Sequence, residues 1–118
     1  MDAPFATNFN DYVAVISVNS PHALVMDWWR RLALTLCEYG AALAIVVRSR
    51  DRRPIEEVVP LNDTALTTCI RGLRHQRNRV THKSCHLSSE DAAAYAREAF
   101  RLIGTLARRI PNLEGQRN

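Results

Sequence analysis

Ser20–Arg48 reads SPHALVMDWWRRLALTLCEYGAALAIVVR. Ser20-Pro21 is a helix start, with serine as N-cap and proline at the first helical position, where its missing N–H costs nothing. Leu24, Trp28, Leu32, Leu36, Tyr39, Leu43 and Val46 then recur at spacings of three and four, which predicts one long helix to about Arg48. Val25, Trp29, Ile45 and Val47 widen the apolar surface beyond one stripe. A helix apolar on more than one side is central in its fold or turns part of itself toward a partner. Gly40 is either a weak spot in it or a place where another element packs closely.

Toward the N-terminus, Asp11–Val18 (DYVAVISV) is rich in β-branched residues and has strand propensity. No second strand pattern exists to pair with it, so a first helix packed on the bundle is the preferred reading of residues 1–20. Toward the C-terminus, residues 48–62 (RSRDRRPIEEVVPLN) change composition, and Pro54 and Pro60 forbid one continuous helix. This segment reads as a connection with room for a single turn at Ile55–Val58.

Asn62 or Asp63 can cap a helix over about Thr64–Lys83, with Leu66, Ile70, Leu73 and Val80 as its apolar stripe. Ser88 with Asp91 three residues on resembles a capping box. The last helix then carries apolar positions at Ala93, Ala96, Phe100, Ile103, Ala107 and Ile110 and is expected to stop at Pro111, leaving 111–118 frayed. Three strong helices and a possible fourth with short connections predict an all-α, up-and-down bundle of four to five helices in a single domain, 1–118.

Composition narrows the class. One hundred and eighteen residues suffice for a single core, and 47% hydrophobic content argues against disorder. Cys37, Cys69 and Cys85 are odd in number and widely spaced, which suits reduced thiols in a cytoplasmic protein. The N-terminal MDAPFATNF lacks a signal-peptide pattern. The longest apolar run, Leu32–Val47, is interrupted by Glu38 and falls short of the roughly 20 residues that span a bilayer, so no membrane partner is expected.

Arg71–His86, RGLRHQRNRVTHKSCH, holds five of the sixteen basic residues, three of the four histidines and no carboxylate, in a chain whose net charge is only +4. Such a surface attracts phosphates. Within it Arg77 falls about 20° from Leu66 around the helix, inside the apolar stripe. A guanidinium there must meet a carboxylate, line a cleft or lie at a subunit interface, because an unpaired charge in a core is costly. Glu38 and Asp27 are the available carboxylates if the role is only structural, and snorkelling to the helix end is the other bland outcome.

Arginine can hold two phosphate oxygens and histidine can move a proton near pH 7, which together suit attack of an RNA 2′-hydroxyl on its neighbouring phosphate. Arg77 and His82 lie about 140° apart on an ideal helix. A shared site therefore requires a break at the helix end or a second subunit across a two-fold axis. Arg79 and His86, with six residues between them, form an alternative pair. A metal site at His75, His82, Cys85 and His86 lacks a second recognised ligand pair and is disfavoured, so no cofactor is expected. A helix-turn-helix would need a short helix before 64–83 where the chain has a proline-bearing loop. Trp28 and Trp29 could stack bases, although packing is the commoner use of tryptophan in an apolar helix.

Arg77-Asn78 followed by His82, before the last helix of an all-helical chain of this size, resembles the HEPN (higher eukaryotes and prokaryotes nucleotide-binding) superfamily over roughly residues 21–110. That resemblance implies a metal-independent endoribonuclease active as a homodimer, many such proteins being toxins of toxin–antitoxin pairs or phage-defence components. It implies RNA as substrate, a possible cognate antitoxin as partner, Arg77 and His82 as catalytic, and Asn78 as a supporting residue. Arg74 and Arg79 would add substrate-binding charge, and Glu38 is a match to the acidic or polar residue on an earlier helix. Members paired with a nucleotidyltransferase antitoxin often carry tyrosine two residues after the histidine, where this chain has Ser84. Some members are non-catalytic helical modules for dimerisation, partner binding or nucleotide binding, which is the alternative reading.

Overall fold

A computed structural model describes residues 5–47, 52–82 and 86–117, with side chains described from Phe9 to Gly115 within that range. Over the described residues it is an all-helical bundle of five helices: α1 (Phe5–Asn19), α2 (Pro21–Ala42), α3 (Ile55–Val58), α4 (Thr64–Val80) and α5 (Ser89–Arg117). The central pair is α2 and α5, with α1 and α4 each packed on both and the single turn of α3 bridging α2 and α4. Leu24, Leu32 and Leu36 of α2 and Leu102 and Leu106 of α5 are fully buried. Burying a leucine side chain contributes about 1.5–3 kcal/mol, so this seam supplies the main stabilising term.

Residues 5–19 are helical despite their β-branched composition. Phe9, Val13 and Ser17, spaced by four, face inward. Phe9 stacks on Phe100 with ring centroids 4.2 Å apart and meets Trp28 edge-on at 5.1 Å. That packing overrides the strand propensity.

Two helix ends differ from expectation. The central helix stops at Ala42 rather than near Arg48, which lies outside the described residues. Ala44 adopts a left-handed conformation (φ 63°), its N–H donates to Ala41 O (2.9 Å), and Ile45 N–H donates to Gly40 O (2.7 Å). This is a Schellman termination with alanine where glycine is usual, so Val46 and Val47 leave the helix and Val46 is exposed. Gly40 is the close-packing site: a Cβ there would lie 3.2 Å from Val59 Cγ2. The last helix, in contrast, passes through Pro111 to Arg117. Proline removes one intrahelical bond, but Ile110 and Leu113 on either side of it pack against the core and hold the last turns in place.

Candidate functional site

Asp63 begins the element that carries the site. Its carboxylate accepts from Leu66 N–H (3.0 Å) and pairs with Arg109 (3.1 Å), and these contacts hold its pKa below the ordinary aspartate range. From that cap α4 buries Leu66, Ile70, Leu73 and Val80, the stripe expected from the sequence. It ends at Val80, short of Lys83, which lies outside the described residues. Thr81 caps it, and His82 N–H reaches back to Arg79 O (3.1 Å) in a tightened last turn. The chain thus leaves the ideal helix between Arg77 and His82.

Arg77 lies in the stripe and is half-buried. Its Nε is shut off from solvent and has no hydrogen-bond partner, and it makes no ion pair among the described residues. Neither Asp27 nor Glu38 neutralises it: Asp27 is held by Arg30 and Arg31. The guanidinium instead lies over the Trp29 ring, 5.6 Å from its centroid. A cation over an indole gains about 0.5–2 kcal/mol, and the buried Nε–H, left without an acceptor, offsets part of that gain. Beside it, burial pushes the Tyr95 phenol well above its usual range, and the charge of Arg77 opposes that rise. Tyr95 O–H donates to Leu73 O (2.9 Å), which ties α5 to α4.

The other expected site residues separate. His82 is exposed just past the end of α4. Asn78 is half-buried, and its carbonyl accepts from Thr81 Oγ1 (2.6 Å). Arg74 is committed elsewhere: its Nε donates to both carboxylate oxygens of Glu56 (3.2 and 2.8 Å), whose side chain is fully buried, and Arg71 adds a longer contact of 3.7 Å. Arg74 is therefore a brace that pins α3 to α4. Glu38 is exposed on α2. It stands nine residues from Trp29, so about 180° around the helix and about 13 Å along it from the residue that meets Arg77. It does not join Arg77 within one chain. Trp28 is core; Trp29 is the platform for Arg77.

A cavity of about 510 Å³ opens between the C-terminal half of α4 and the N-terminal half of α5. Val25, Leu73, Val80 and Leu87 give it an apolar lining. Gln76, Arg79 and His86 line it from α4 and the segment before α5, and Asp91, Tyr95 and Glu98 from α5. The alternative pair Arg79 and His86 thus shares one cavity, whereas Arg77 and His82 do not line it. The α5 contribution escaped the sequence reading. Asp91, Ala94, Tyr95 and Glu98 recur at i, i+3, i+4 and i+7, a polar stripe beside the apolar one, and that periodicity was the available signal.

Among the described residues no group of three or more His, Cys, Asp or Glu side chains comes together as a metal site, and no helix is long and apolar enough to cross a membrane. Cys37 and Cys69 are free thiols; Cys85 and Ser84 lie outside the described residues. Fold and geometry together define an all-helical bundle that carries an arginine-rich helix in which one guanidinium, that of Arg77, has its Nε buried without an acceptor. The chain matches no protein-family model, no curated protein and no solved structure.

Proposed function

We propose that the protein is a metal-independent endoribonuclease of HEPN type, with Arg77 and His82 in a cleft completed by a second copy of the chain. The observation that carries this reading is Arg77. Its Nε is buried without an acceptor, and among the described residues no carboxylate pairs with it. A phosphoryl oxygen supplies the missing charge at the guanidinium's outer nitrogens and, once the side chain turns outward, the missing acceptor at Nε. His82, exposed two residues beyond the end of the same helix, is free to approach the same phosphate from a partner chain.

In this reaction the 2′-oxygen attacks the adjacent phosphorus and the bond from phosphorus to the 5′-oxygen breaks. One His82 takes the 2′-hydroxyl proton, and the two-fold-related His82 delivers a proton to the departing 5′-oxygen. The products are a 2′,3′-cyclic phosphate and a 5′-hydroxyl. Arg77 stabilises the charge that builds on the non-bridging oxygens. Asn78 orients the substrate or His82, and Arg79 adds positive charge along the RNA path. Arg74, bound to Glu56, acts on substrate only through the placement of α4. Glu38 contributes only if the partner chain brings it to the cleft. In the cell such an enzyme would act in the cytoplasm as a toxin or phage-defence component, with an antitoxin as its natural control.

The test is cleavage of tRNA and mRNA by purified protein in EDTA, beside Arg77→Ala and His82→Ala. Wild type should leave 2′,3′-cyclic phosphate ends. Loss of His82 should slow cleavage by about 10²–10⁴ and loss of Arg77 by about 10²–10³. Cleavage that survives the double variant would overturn the assignment. A folded dimer that cuts nothing would instead favour the non-catalytic helical module.

A further inference from the structure

Arg79 on α4 and Asp91 on α5 line the same cavity, yet neither has an ion-pair partner among the described residues. The third charged wall residue differs, since Glu98 is held by Arg101 Nε at 2.9 Å. The cavity thus offers one uncommitted donor fork and one uncommitted acceptor pair above an apolar floor that includes Val25 and Leu73. Its volume, about 510 Å³, lies within the roughly 300–1,000 Å³ range of small-ligand sites.

The chemistry of the two walls selects among planar heterocycles. An arginine fork reads two adjacent acceptors, and guanine presents them as O6 and N7. An ionised carboxylate only accepts, and guanine presents two parallel donors at N1–H and N2–H₂ on the neighbouring edge. Adenine turns a donor toward the arginine at N6 and an acceptor toward the carboxylate at N1. Cytosine has an adjacent acceptor pair at N3 and O2 but only one donor nitrogen, N4, for the carboxylate, and the two acceptors of uracil are separated by N3–H. Tyr95 joins this cavity to the candidate catalytic arginine, because it lines the one and feels the charge of the other.

We propose that the cavity is a guanine subsite, with Arg79 donating to O6 and N7 and Asp91 accepting from N1–H and N2–H₂. The subsite rests on the ribonuclease reading for its natural substrate, an RNA with guanine beside the cleaved phosphate. Base binding itself requires no cleavage.

The test uses the full-length His82→Ala protein, so that binding is measured without turnover. It is titrated calorimetrically with the four nucleoside 3′-monophosphates. The guanosine form should bind at least ten-fold more tightly than the adenosine form. Asp91→Asn, checked for unchanged helicity, should remove most of that ratio, and Arg79→Ala should weaken guanosine binding. Equal binding of all four, no binding of any, or a ratio that survives Asp91→Asn overturns the subsite. Guanine binding by a wild-type protein that cuts no RNA would sink the ribonuclease reading alone. Cleavage with no guanine preference would sink the subsite alone.

Discussion

At the residue scale the molecule is governed by two arginines one helical turn apart with opposite fates. Arg74 meets a fully buried carboxylate, whereas Arg77 meets a tryptophan face. Removing one member of a buried pair strands the other, at a cost of about 3–5 kcal/mol in an enclosed site. Arg74 retains some solvent contact, so Glu56→Ala should cost somewhat less, about 2–4 kcal/mol. Urea unfolding should show this as a lowered midpoint with unchanged slope; an unchanged midpoint would mean that α3 is not held by this contact. Asp63 gives a pH-dependent prediction. Its folded pKa lies below the ordinary value near 3.8, so its contribution is present above that value and is lost as pH falls toward the lowered pKa. Comparison of wild type with Asp63→Asn between pH 6 and pH 2 should find a stability gap that closes only at the acid end; a gap independent of pH refutes the linkage. The cap was legible from Asn62-Asp63 followed by an apolar period. The partner of Glu56 was not, because eighteen residues of sequence separate it from Arg74.

At the element scale, helix ends were the least legible features. The apolar period of α2 continues past Ala42, so periodicity alone carries the helix on to Arg48. The chain turns at Ala44 although no glycine or proline marks the place. An L-residue in the left-handed region costs about 1–2 kcal/mol, partly offset because glycine has more freedom to lose on folding. Ala44→Gly should therefore stabilise the protein by about 0.5–1 kcal/mol, read as a rise in Tm of a few degrees; a fall would place Ala44 outside the left-handed region. The polar stripe of α5 was present in the sequence but masked by its alanines. Ala93 and Ala96 are buried as expected, yet Ala107 is exposed and the buried surface runs through Ala92, Tyr95, Ala99, Leu102 and Leu106. One periodic stripe cannot describe a helix that packs on α1, α2 and α4 together.

At the scale of the whole molecule, the bundle is a slab of 45 × 44 × 24 Å with a radius of gyration of 15.3 Å, larger than the about 13–14 Å of a rounder domain of this length. A slab leaves more surface per core residue. Tyr12, Val15, Met26 and Leu34 stand exposed on α1 and α2. The proposed two-fold site requires that the protein sediment as a dimer at twice 13.4 kDa. Co-assembled Arg77→Ala and His82→Ala chains should regain part of the activity that each homodimer lacks. A strict monomer with full cleavage would confine the site to one chain.

Sequence by itself determined the helical class, the apolar faces of α2 and α4, the single turn of α3, and the anomaly of a guanidinium placed inside an apolar stripe. These are local properties, set by period, capping and the cost of an unpaired charge. Tertiary structure alone decided which arginine is neutralised, that Trp29 is the platform for Arg77, and that α4 and α5 bring Arg79 and Asp91 to one cavity. Those depend on how helices distant in sequence meet, and a helical period says which face is buried but not what lies against it.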